Sequence, residues 1–538
     1  FEQSSSSDDE DVPRFSEIPR TSTQSSSIVE YRPRQSSFSD GGSVPKLTIA
    51  KFVFTIIIFV CWSTLSIANV DHFAIENYVN KSRELLCNNI SLDFSNIAIS
   101  EIKRDFINSP SITCLNLSSN SIEKIDRGAF DGLPNLTQLF LSNNNWSYSR
   151  DLLNFGSHDK LQVLIMNGAK ICGLNDGYHK SCLQITGEYL NLEILSLSKH
   201  CIKNVEYNLD PDLISSISSV ESWVPFPKLK ILDLSENKLV RSNFVRTLPN
   251  SLYFLDLHDN LFERLNLNEK GKKLFALNLD KNNFNMINNQ HDYSTSSLSM
   301  AGLKNLHYLS VYRNKINIIT ADAFKDNNEL LFLNLSTNYL YGTHPETFSN
   351  LQYLKTLDLS RNLIVHVPEI SIKTEISTLH INNNYIFKIN SHAFTHMPKL
   401  VKLLMAENKI MEIKVNAFAH LTVLEELDLS RNMLSSLPKG WTESLVSLKY
   451  LDLRENKFTS LESLPLTNTW PSIKILYLMN NPLKYLNVKY FENLPQNLTI
   501  DLINNSNFTT YINDTLPYPT YLYSEPARKV LDTEGGEM

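Results

Sequence analysis

The sequence predicts an α/β solenoid of about sixteen stacked turns, with a parallel sheet along its concave face. Three observations carry that expectation. The stretch from Leu354 to Asn362 places leucines at its first, fourth and sixth positions (Leu354, Leu357, Leu359) and an asparagine at its ninth. The same frame returns at Leu424, Leu427, Leu429 and Asn432, and at Leu448, Leu451, Leu453 and Asn456. In the back half of the chain the frames recur about every 24 residues, a fixed period that marks stacked repeats. The physics agrees with the pattern. A short strand alternates its side chains, so positions four and six face inward and the residues between them face out. One turn cannot bury its leucines alone, whereas stacked turns bury a continuous core. The ninth-position amide can donate to, and accept from, backbone groups that the bend leaves unpaired.

Taken in order, the chain begins with a segment too poor in apolar residues to fold. Residues 1–46 hold Ser4 to Ser7, the acidic run Asp8-Asp9-Glu10-Asp11 and several prolines, and are expected to be a disordered tail. Residues 47–68 are the one membrane candidate, with Phe52 to Val60 strongly apolar. Lysines and arginines precede it and Asp71 and Glu76 follow, which favours the N-terminus inside. The small residues Ser66 and Ala68 also fit a cleaved signal peptide. The long hydrophilic stretch ahead favours an uncleaved anchor. Either reading puts the rest of the chain in the secretory lumen or outside the cell.

Residues 69–111 are expected to form an N-terminal cap, with its strand at Leu92-Asp93-Phe94. Sixteen frames then run through residues 112–505, from Ile112–Asn120 to a weaker last one at Asn497–Asn505. Two frames replace the asparagine, with Ala169 and His200. Extra residues fall around 174–188, 206–226 and 287–303, and 506–538 is a C-terminal tail. Ala129-Phe130, Ala323-Phe324, Ala393-Phe394 and Ala417-Phe418, with Thr347-Phe348, predict an aromatic spine on the convex side.

The first full frame reads Ile112-x-x-Leu115-x-Leu117-x-x-Asn120-x-Ile122-x-x-Ile125-x-x-x-Ala129-Phe130-x-x-Leu133. It resembles the "typical" leucine-rich repeat of extracellular proteins, the family of Toll-like receptor ectodomains. The resemblance covers roughly residues 87–510. It implies a leucine-rich-repeat horseshoe that binds partners on its concave face. One departure is clear: Pro482-Leu483 follow Asn481 and no cysteine comes after.

Chemistry finds little footing. There is no His-Glu-x-x-His, Gly-x-Ser-x-Gly or phosphate loop, so no enzyme and no cofactor is expected. Aspartates recur at position five (Asp233, Asp256, Asp358, Asp428, Asp452) and are expected to be filler on an exposed strand face. The net charge of −7 argues against nucleic acid as the partner. Cys172, His179, Cys182, His200 and Cys201 lie in the irregular front, and disulfides are preferred there over a metal. Cys87 and Cys114 would tie the cap to the first repeat. One thiol among Cys172, Cys182 and Cys201 is left over.

Glycosylation sequons stand at Asn80, Asn89, Asn116, Asn135, Asn145, Asn334, Asn497, Asn504, Asn507 and Asn513, all beyond the membrane candidate. The predicted ligand face lies on turns six to nine. It comprises Phe254, Asp256, His258, Asp280, Tyr308, Tyr312, Arg313 and Phe332, where aromatics gather beside charges. A second patch holds Tyr450, Asp452, Arg454, Tyr477 and Met479. The insert from His291 to Ser299 is expected to leave the solenoid as a mobile loop beside the first patch. The leading functional reading is a membrane-anchored or secreted protein that binds a protein, or a glycan- or lipid-bearing ligand, in the manner of a receptor or co-receptor. The alternative is adhesion by homophilic or heterophilic contacts, with a homodimer as one form.

Overall fold

Each turn has the same two obligations: to bury its leucines and to satisfy the backbone of the bend that follows them. The computed structural model describes residues 90–502, apart from 147–151, 154, 157, 169–181, 186, 208–222, 291–296, 466–469, 485–489, 491–493 and 495–497. All of these belong to the unit Leu85–Met538. Seventeen strands form one sheet. Ile90–Asp93 pairs in parallel with Ile112–Asn116, and each later strand pairs with the next in chain order, ending at Thr499–Asp501. Every one of the sixteen predicted frames supplies one strand.

The register keeps the leucines in one column. Leu333, Leu357, Leu379, Leu403, Leu427, Leu451 and Leu476 are successive Cα partners, and all are fully buried. That column joins the rest of the apolar interior in a single continuous core. Among the described residues the return segments are turns, short 3₁₀ stretches such as Asn243–Thr247 and Leu461–Ser463, and short parallel strands such as Lys388–Ile389 against Glu412–Ile413.

The ninth-position asparagines are buried and bonded on both ends, as the bend requires. Asn432 is representative. Its Nδ2 donates at 3.0 Å to the carbonyls of both Met405 and Leu429, while its Oδ1 accepts the amide of Ile410 at 3.0 Å. His200 takes over this role in its turn. Its ring bonds the Met166 carbonyl, and burial pushes its imidazole down to about 4, so it serves as a neutral ladder member. The residue before each asparagine is left-handed, whatever its type: Glu236, Asp259, Lys281, Arg313, Thr337, Arg361 and Arg431 all have φ between 50° and 55°.

The convex spine is present and longer than the Ala-Phe pairs predict. Phe394 and Phe418 stack with centroids 5.8 Å apart. Trp441 continues the row at 6.1 Å and Trp470 at a further 5.8 Å. In the irregular front Phe130, Phe155, Tyr189 and Phe226 form the equivalent row.

The expected mobile loop from His291 to Ser299 needs correction over its last part; 291–296 lie outside the described residues. Leu298–Ser299 is a strand that pairs with both Leu265–Asn266 and the preceding Met286–Asn288. The reason is apolar content. Leu298, Met300 and Ala301 are fully buried, so the insert adds a rung to the outer side of the solenoid.

No helix among the described residues is long and apolar enough to cross a membrane. The candidate at 47–68 lies outside them, as do the tails 1–46 and 506–538.

Candidate binding face

Turns six to nine place the predicted residues on four consecutive rungs. Phe254, Ala276, Tyr308 and Phe332 are successive Cα partners at position three. Asp256, Asn278, Ser310 and Asn334 are partners at position five. The Tyr308 and Phe332 rings lie parallel, 4.6 Å apart and 3° out of plane. Position two carries a second column. Tyr253 stacks on Phe275 at 4.9 Å, and Phe275 on His307 at 4.4 Å. These rings are half-buried. The second column escapes a reading confined to odd positions. The signal for it was in the sequence: Tyr253, Phe275 and His307 each directly follow a frame's first leucine.

The position-five acids are not exposed filler: Asp358 and Asp428 are half-buried and the others more deeply. Asp233 and Asp256 are each only 1% exposed, and Asp280 and Asp452 are buried too. Adjacent rungs stand about 4.8 Å apart, which leaves no room for water between side chains at one position. Burial then demands partners, and they are there. Asp233 accepts from Ser196 Oγ at 2.6 Å and from Ser235 Oγ at 2.6 Å. Asp256 bonds His258 Nδ1 at 2.8 Å and accepts from Asn278 Nδ2 at 3.3 Å. Asp280 accepts from Ser310 Oγ and from the amide of Tyr312 at 2.8 Å, so it fixes the rung that carries Tyr308 and Tyr312.

These contacts set the charge state of the face. Burial pushes the Asp280 carboxyl up to about 7, against the bonds from Ser310 and Tyr312. Burial and the charge of Asp256 push Asp233 up as well. For His258 burial alone would lower the imidazole, but Asp256, Asp233 and Asp280 outweigh it and hold it up at about 9. His258 therefore holds its proton at neutral pH, with Nδ1 against Asp256. At the rim, Lys281 bridges Asp259 at 3.6 Å, and Arg313 is exposed.

The residues 88–145, 333–373, 374–434 and 422–464 match the family described as leucine rich repeat. With the stacked strands and the asparagine ladder, this decides the fold. The chain is built of leucine-rich repeats. It is similar to podocan of Mus musculus, 25% identical over 337 residues, which are 56% of this chain and 52% of podocan. It is also similar to Toll-like receptor 3 of Boselaphus tragocamelus, 28% identical over 322 residues, 56% of this chain and 33% of that protein. The chain thus spans about half the length of podocan and a third of that receptor. A solved leucine-rich-repeat protein from Leptospira interrogans is 24% identical, covering 73% of this chain and 96% of that one, with a TM-score of 0.49.

The remaining site residues of this leucine-rich-repeat chain lie elsewhere. Tyr450 is exposed, Asp452 is buried against Arg454, and the Arg454 guanidinium stands 5.3 Å from the Tyr477 ring centre. Cys114 and Cys201 are disulfide-bonded, and Cys182 is buried at the start of the strand Cys182–Ile185. Cys87, Cys172 and His179 lie outside the described residues. Among the described residues no three His, Cys, Asp or Glu side chains converge as metal ligands. Of the sequons, Asn116 is buried and donates to Asp93 at 2.6 Å, whereas Asn135, Asn145 and Asn334 are partly exposed. Asn80, Asn89, Asn497, Asn504, Asn507 and Asn513 lie outside the described residues.

Proposed function

We propose that this chain is a non-enzymatic, receptor- or co-receptor-like binding protein that recognises a protein ligand through the inner face of turns six to nine. The observation that carries the reading is the two sets of stacked rings beside a row of bonded acids. Aromatic anchors held by their neighbours lose little freedom on binding, which is where interface energy concentrates. A glycan- or lipid-bearing ligand is the wider form of the same reading. The repeats stand outside the cell or in the secretory lumen, with residues 47–68 as an anchor or, in the alternative, a removed signal. The sequons support that placement, since all follow residue 68. Cys87 with Cys114 would close the cap.

A second reading, adhesion between copies or with another chain, is favoured by a separate feature. Tyr339, Tyr341, Leu363, Tyr385, Phe387 and Met411 form an exposed apolar stripe along one flank, reaching 66% exposure at Tyr341. Capture of proteins from extracellular medium tests the two. Tyr308→Ala with Tyr312→Ala should lose the captured ligand, while Tyr450→Ala with Tyr477→Ala should retain it. The reverse pattern moves the site to the last turns.

A further inference from the structure

Beyond the asparagine ladder, each turn shows two residues on its flank. Positions ten and twelve of the frame face out, and position eleven between them faces in: Leu340, Ile364, Ile386 and Ile410 are fully buried. The amides of Tyr339, Leu363, Tyr385 and Lys409, all at position ten, donate to carbonyls of the preceding turn at 2.8–3.0 Å. Successive turns are thus held in step along the flank. In turns seven and eight the outward pairs are polar, Asn283 with Asn285 and Lys315 with Asn317. Turns nine to twelve differ. Their pairs are Tyr339 and Tyr341, Leu363 and Val365, Tyr385 and Phe387, and Lys409 and Met411. In turn thirteen Ser435 stands beside Met433.

The patch is open and large. Tyr339, Tyr341, Leu363, Tyr385, Phe387 and Met411 are 37–66% exposed. At about 200 Å² for each large ring, these side chains leave on the order of 500 Å² uncovered on one copy. That is the upper end for a patch on a monomer. With Val365, Lys409 and the surrounding rim it approaches the ~800 Å² that each partner gives to a stable interface.

The patch also matches itself. Its centre lies between turns ten and eleven. A two-fold axis there, running from the inner to the outer side, sets turn nine of one copy opposite turn twelve of the other, and turn ten opposite turn eleven. Tyr339 then faces Lys409, which already lies over the Tyr385 ring of its own chain at 4.4 Å and is offered a second ring. Tyr341 faces Met411, a ring against a sulfur. Leu363 faces Tyr385, and Val365 faces Phe387. No acid stands at these positions and no like charges meet. The register is selective, because moving the axis onto turn ten would set Lys315 against Lys409. At the inner rim Arg361 is exposed and makes no ion pair among the described residues. Glu407 of the second copy would stand one rung from it. In its own chain Glu407 is held ready by Arg431 at 2.7 Å and Asn383 at 2.8 Å.

We propose that the flank of turns nine to twelve is the interface of an antiparallel dimer, covered by the same flank of a second copy of this chain. The inference rests on the adhesion reading of that flank and names its partner and register. It uses none of the ring or acid residues on the inner face of turns six to nine, so both surfaces can serve one molecule.

The experiment is sedimentation velocity of the full chain, in a mild non-ionic detergent, over a wide concentration range. A monomer–dimer equilibrium is expected. Tyr341→Lys with Phe387→Lys should raise the dimer dissociation constant by about tenfold or more, while Tyr450→Ala with Tyr477→Ala leaves it unchanged. Should the lysine pair not fold, Tyr341→Ser with Phe387→Ser is the gentler break. Crosslinking reads the register. Copies carrying Tyr341→Cys mixed with copies carrying Met411→Cys should give a disulfide dimer under mild oxidation. Neither should do so alone, since each position lies three rungs, roughly 14 Å, from its own counterpart. A chain that stays monomeric, a folded flank variant that dimerises undiminished, or crosslinking by one variant alone overturns the proposal. Capture of proteins from extracellular medium separates this from the reading beneath it. A monomeric chain that captures another protein, and loses it with Tyr341→Lys and Phe387→Lys, removes the second copy and keeps the adhesive flank. A monomeric chain whose captured proteins ignore those substitutions removes the flank reading itself.

Discussion

Asn362 donates through Nδ2 to the carbonyl oxygen of Leu335 at 3.0 Å, across the boundary between one turn and the next. The same nitrogen bonds Leu359 O at 3.0 Å, and Oδ1 accepts the Leu340 amide at 3.0 Å. One buried side chain thus satisfies backbone groups of two turns. Asn362→Ala strands them, and should cost on the order of 1–3 kcal/mol. Thermal unfolding of the variant checks this; an unchanged midpoint would mean the amide contributes nothing.

The position just before another ladder asparagine, Asn338, gives a prediction of opposite sign. Thr337 adopts φ 55°, in the left-handed region that a β-branched residue avoids. Its hydroxyl is buried with no hydrogen-bond partner among the described residues. Asn143, Asn383 and Asn480 occupy the same position in other turns at similar φ. Thr337→Asn should therefore stabilise the chain by about 1 kcal/mol. A lower thermal midpoint contradicts the assignment of strain.

The convex spine should be continuous in energy as well as in geometry. Phe418 lies between Phe394 and Trp441 and is fully buried. Phe418→Ala opens a cavity in the row and should cost about 3–5 kcal/mol. Phe418→Leu, which refills most of the volume, should cost clearly less. Equal losses for the two would point to backbone damage and not to packing.

His258 predicts a pH dependence. Its imidazole is held up at about 9 from an ordinary 6.5, so the folded state binds the proton more tightly than the unfolded chain. That stabilisation is fully present below pH 6.5 and is lost as the pH rises through about 9. A shift of this size corresponds to on the order of 3 kcal/mol. Asp280, raised from 3.8 to about 7, adds a loss of the same sign between those values. Thermal midpoints measured from pH 6 to pH 10 should fall less in His258→Gln than in the unaltered chain. Parallel curves would show that the imidazole is not charged in the folded state.

Much of this architecture was legible because leucine and asparagine repeat at fixed positions. Even the weak last frame, Asn497–Asn505, supplies the strand Thr499–Asp501. What was not legible has physical causes. Strand alternation says that Asp233 and Asp256 point away from the core, and they do. It does not say that neighbours on both sides, one rung spacing away, close over them. The spine residues Tyr189, Trp441 and Trp470 carry no Ala-Phe signature, since a different ring fills the same space in irregular turns. Leu298 sits among small polar residues that read as loop, and only pairing with Leu265 and Ile287 makes it a strand. On the binding face, Tyr308 and Phe332 were visible at alternating positions. The stack of Phe275 on Tyr253 and His307 repeats after each frame's first leucine too, but position two lies just ahead of the strands and so outside a reading by strand alternation.

The central claim is that a protein partner covers the inner face of turns six to nine. Hydrogen–deuterium exchange of the full chain, with and without the captured partner, tests it most directly. The account predicts new protection confined to the rungs around Tyr253–His258, Phe275–Asp280, His307–Arg313 and Leu331–Asn334. Protection centred on Tyr450–Met479, or on the flank from Tyr339 to Met411, with the inner rungs of turns six to nine unchanged, would contradict it.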